Sequence, residues 1–98
     1  MQHPVDDAEA RTFLASLTYR RDDRKPPDDA RRQQFKIQWK RAAQGEPMSE
    51  QTLRAKLTWA NLGYRAGREY GPASDAKIDA AFDRFAAIYR NDAQAVNY

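Results

Sequence analysis

Thr58-Trp-Ala-Asn-Leu-Gly-Tyr-Arg-Ala-Gly-Arg-Glu-Tyr-Gly71 is the stretch that decides the fold, because its glycines stand four residues apart, at 63, 67 and 71. Positions four apart share one face of a helix. Gly63 and Gly67 therefore make a smooth stripe, which Trp59 and Ala55 extend toward the N-terminus. A glycine in a helix interior costs about 1 kcal/mol relative to alanine. Two of them imply an offsetting gain, most simply another backbone brought unusually close. The aromatic residues available to cover the stripe are Phe82 and Phe85 of the last predicted helix, so the expectation is a glycine stripe packed against that helix.

On the N-terminal side of the stretch, Ser49 is a candidate N-cap with Glu50 in the first turn. Leu53, Leu57 and Ala60 form one apolar row and Ala55, Trp59, Leu62 and Ala66 its neighbour. An arc that wide predicts a central helix over about 49–70, either unbroken or interrupted near Thr58, where the threonine caps a second, shorter piece. Gly71-Pro72 stops it. Beyond the stop, Ser74 caps a helix over about 74–90. Its apolar residues Ile78, Phe82, Phe85, Ala86 and Tyr89 follow the helical period.

Toward the N-terminus, Ala10, Phe13, Leu14 and Leu17 predict a first helix from Val5 to Tyr19, with Asp6, Asp7 and Glu9 at its positive end. Arg20 to Pro27 is a charged, proline-ended linker. Asp28 or Asp29 caps a second helix that runs to about Gln44, before Gly45-Glu-Pro47. Within it, Phe35-Lys-Ile-Gln-Trp39 alternates with period two, a strand signal. The helix-forming flanks and the lack of a partner strand favour helix. The expected fold is all-α, four helices in a compact bundle or orthogonal array. It is a single domain over 1–98 with flexible ends at about 1–5 and 91–98.

The composition narrows the function. The chain of 98 residues has no cysteine, and its one histidine is His3, near the start. Neither a histidine-based triad nor an ordinary zinc site can be assembled from that. The aspartate pairs at 22–23 and 28–29 suit caps and charge partners better than acid–base work. We expect no catalytic residues, no metal and no cofactor. No apolar run approaches a membrane span or a signal sequence, so no membrane partner is expected and the cytoplasm is the expected location. The glycines lack both the preceding strand and the following lysine of a phosphate-binding loop. Thr58–Gly67 loosely resembles the positioning helix and turn of a helix-turn-helix, but Arg68 and Pro72 depart from that pattern, and Asp75, Asp79 and Asp83 on the outer face of the last helix would repel phosphates.

Charge supplies the remaining signal. The net charge is +3, yet residues 20–41 hold nine of the seventeen basic side chains against four acids. Arg32, Lys36 and Lys40 align at i, i+4 and i+8, a ridge able to follow a phosphate backbone. Arg20, Arg21, Arg24 and Lys25 precede it as an arm, and Arg65 adds to the field. Phe35 and Trp39 flank the ridge as stacking platforms or as core. This reads as a small nucleic-acid-binding or regulatory accessory protein, its partner a nucleic acid or an acidic protein surface. The alternative is a protein-interaction module or homodimer that presents the aromatic and glycine surface of Trp59, Gly63, Gly67 and Tyr70. The ridge as a solvated face, and the stripe as internal packing, are the corresponding readings without a partner.

Overall fold

The computed structural model describes residues 6–16, 28–50 and 57–91. They form four α-helices: α1 Asp7–Ser16, α2 Asp29–Ala43, α3 Trp59–Tyr70 and α4 Asp75–Asn91. No strand occurs among the described residues, and the fold is an all-α bundle. The end at 1–5, the last part of the predicted first helix with Leu17 and the linker (17–27), residues 51–56 and residues 92–98 lie outside them.

Each helix start has a visible cause. Asp6 accepts the Glu9 amide at 2.8 Å, and Asp28 the Arg31 amide at 2.9 Å. Ser74 accepts the Lys77 amide at 3.2 Å. Each side chain satisfies a backbone N–H that the first helical turn leaves without an intrahelical acceptor. Thr58 decides between the two forms of the central helix. It is extended (φ −116°, ψ 172°) and accepts the Asn61 amide at 3.2 Å, so α3 starts at Trp59. At the other end Gly71 takes φ +77° and returns its amide to the Gly67 carbonyl at 2.9 Å. That turn presents the Gly71 carbonyl to the Trp39 indole N–H, which donates to it at 2.9 Å.

The alternation at 35–39 resolves as helix. Phe35, Trp39 and Ala42 are buried at helical spacing, whereas Ile37 is 52% exposed. A strand would have put Phe35, Ile37 and Trp39 on one face. Phe35 is the hub of the core, with ring centroids 5.4 Å from Phe82 and 6.0 Å from Phe85. Phe13 of α1 meets Phe85 at 5.8 Å, and Trp59 meets Phe82 at 4.9 Å.

The partner of the glycine stripe needs correction. Gly63 and Gly67 pack on α2, not on the last helix. A Cβ on Gly63 would stand 2.3 Å from the Phe35 carbonyl oxygen, and one on Gly67 2.4 Å from that of Trp39. The pairs 35/63 and 39/67 ascend together, so the two helices run in the same sense along the contact. Phe35 turns toward α4 and Trp39 toward the C-terminal end of α3, and the backbone at both residues is left for the glycines. α2 is therefore the helix on which both α3 and α4 pack, the central place expected for the 49–70 segment.

Candidate functional site

The basic ridge lies along the edge of α2 that faces α4, and it meets an acidic ridge of the same spacing. Arg32 Nη2 is 2.6 Å from Asp83 Oδ1, and Arg32 Nη1 is 3.6 Å from Asp79 Oδ1. Lys36 Nζ donates to Asp79 Oδ2 at 3.1 Å, and Lys40 pairs with Asp75. As the α2 number rises by four the α4 number falls by four, so the helices are antiparallel and the rungs stay in register. The Arg32 guanidinium also lies 4.7 Å over the Phe82 ring, a cation–π contact.

The electrostatics follow this geometry. The hydrogen bond to Asp83, with the fields of Asp83 and Asp79, holds Arg32 above its ordinary pKa against the opposing effect of burial. The hydrogen bond from Lys40 holds Asp75 below the usual carboxylate value. Both shifts favour the charged forms.

The other expected site residues that the structure describes lie apart from this ladder. Arg20, Arg21, Arg24 and Lys25 lie outside the described residues. Arg65 sits on α3, half-buried, and its Nε donates to the buried Asn61 side chain. Trp59, Gly63 and Gly67 are buried within the bundle. These three positions thus form a packing surface inside the bundle. Tyr70 alone of the aromatic and glycine group reaches the outside, stacked on Trp39 with centroids 5.9 Å apart and planes 17° apart.

Beside Tyr70 lies a cleft of about 520 Å³ between α1 and α3, lined by Glu9, Thr12, Phe13, Ser16, Glu69 and Tyr70, with Ala8 at its edge. Phe13 and Tyr70 form its aromatic wall, their centroids 5.6 Å apart. Burial, then the negative fields of Glu9, Glu69 and Asp6, push the Tyr70 phenol up to about 12. The phenol is a proton donor throughout the neutral range. Sequence reasoning saw the aspartate row as a solvent-facing acidic edge, and missed both its pairing with the basic ridge and this cleft. Asp75, Asp79 and Asp83 repeat the 32/36/40 spacing, which was the available signal for the first. For the second there was only the acidic start of α1.

Among the described residues, no group of three His, Cys, Asp or Glu side chains is placed to hold a metal, and no helix is long and apolar enough to cross a membrane. Comparison with protein-family models, with curated proteins and with solved structures finds no match.

Proposed function

We propose that this chain is a non-enzymatic helical module that works by binding another protein. The supporting observation is the occupation of the basic ridge. Arg32, Lys36 and Lys40 each have an aspartate of α4 within ion-pair distance. Binding to a polyanion gains from the release of its condensed counterions to solution when protein cations replace them. Cations already neutralised by carboxylates must first give those up, and the gain shrinks accordingly. Lys36 is also withdrawn, its side chain only 16% exposed. The near absence of histidine and the lack of cysteine support the non-enzymatic part.

The test is fluorescence anisotropy with random duplex and single-stranded oligonucleotides at low and moderate salt, on the native chain and on Lys36→Ala/Lys40→Ala. The native chain should bind neither strand form in a salt-dependent way, and the double variant should melt a few degrees lower. The reading is overturned by steeply salt-dependent binding of the native chain. A log–log salt slope that falls by about two in the double variant, with melting unchanged, would assign that binding to the ridge.

A further inference from the structure

We infer that the cleft between α1 and α3 is the docking site for an arginine side chain on an extended segment of a partner protein, an inference that rests on the protein-binding reading above. The lining chemistry selects the occupant. Glu9 and Glu69 approach the cleft from opposite walls, one on α1 and one on α3. No lysine or arginine is among the described residues that line it. A guanidinium is planar and weakly hydrated, stacks on aromatic rings and hydrogen-bonds carboxylates in a fork. Phe13 and Tyr70 supply the rings, and Tyr70 is held in place by its stacking on Trp39. Thr12 and Ser16, one turn apart on α1, add hydroxyl groups at the same wall.

Size and field agree with this occupant. At about 520 Å³ the cleft holds one long side chain together with the backbone that carries it. The carboxylates that raise the Tyr70 phenol are the groups that attract a cation there. Glu9, Glu69 and Asp6 make the field at Tyr70 negative although the chain as a whole is net basic at +3.

The experiment is an amide-resolved NMR titration of the full chain with Nα-acetyl-arginine N-methylamide up to tens of millimolar, the weak range expected of a single residue. The citrulline analogue, uncharged and nearly isosteric, is titrated in parallel. Saturable shifts should cluster at residues 8–16 and 69–70, with none for citrulline. Glu9→Gln and Glu69→Gln should each weaken binding about fivefold. Both carboxylates are at exposed positions, so these variants should keep the native spectrum elsewhere. Equal shifts with citrulline, unchanged affinity in both variants, or no saturable shift overturns the site. A cleft that binds the probe only after Arg20, Arg21, Arg24 and Lys25 are changed to Gln belongs to the chain's own arm, and the partner-derived arginine is overturned. A silent cleft leaves the oligonucleotide result unaffected, so failure here and failure of the protein-binding reading are told apart.

Discussion

α2 makes two contacts that contrast in kind. Against α3 it presents backbone, and the opposing helix answers with the absence of side chains at Gly63 and Gly67. Against α4 it presents Arg32, Lys36 and Lys40, answered by Asp83, Asp79 and Asp75. The first contact is steric and buried, and the nearest neighbours of its glycines are main-chain atoms and the Ala42 β-carbon, none of which can rotate away. The second is half-exposed, and its partners sit on flexible stems. Steric fit at close backbone approach is unforgiving, whereas partly solvated ion pairs tolerate loss. The glycine seam should therefore hold the fold, and the ladder should set register and surface charge.

The largest expected effect tests the steric half. In Gly63→Ala the new methyl would lie 2.3 Å from the Phe35 carbonyl oxygen and 2.8 Å from its carbonyl and α carbons. Helix propensity favours alanine by about 1 kcal/mol. Overpacking of about 1–3 kcal/mol, and more where only backbone can move, exceeds that gain. The melting temperature should fall by roughly 5–15 °C for a domain of this size. A Gly63→Ala protein that melts at or above the native temperature would break the comparison at its stronger end.

The ease with which each contact could be read from sequence follows the same contrast. The closeness of approach was legible, because two glycines four apart weaken a helix unless a neighbouring backbone fills the space they leave. Its partner was not, since a glycine carries no side chain to indicate what lies opposite. The bulk of Phe82 and Phe85 pointed to the wrong helix. Local capping signals at Asp28, Thr58 and Ser74 involve contacts within three residues and were readable. The ladder joins residues 35 to 51 apart. Each row read alone is a solvated helix face, and only the antiparallel packing of α2 and α4 brings the rows together. Glu9 and Glu69 were separated by a still longer stretch, and nothing local linked them.

An intermediate effect sharpens the steric half. Gly63 and Gly67 meet Phe35 and Trp39 only if α3 starts at the right residue, and the Thr58 hydroxyl fixes that start. Thr58→Ala should lower stability by about 1 kcal/mol and Thr58→Ser by much less, read as shifts in the urea midpoint. Equal losses from the two would mean that the threonine methyl, not the cap, is what matters.

The smallest effect belongs to the ladder, and its dependence on pH identifies it. Lys40 holds the Asp75 carboxyl below its ordinary value by donating a hydrogen bond to it. A group whose folded pKa is depressed contributes stability that is present above its unfolded pKa, about 3.9 for aspartate. That contribution is lost as pH falls through the lower folded value. Lys40→Met keeps most of the side-chain stem and removes the charge. The native chain should melt slightly above this variant at neutral pH, and the gap should hold steady down to about pH 5. It should close in stronger acid as Asp75 takes up its proton, and should shrink with added salt at neutral pH. The Gly63→Ala deficit, a clash between neutral atoms, should survive both changes. If the Lys40→Met gap persists in acid at high salt, the contribution of Lys40 is packing, and the division between a steric and an electrostatic seam fails at that rung.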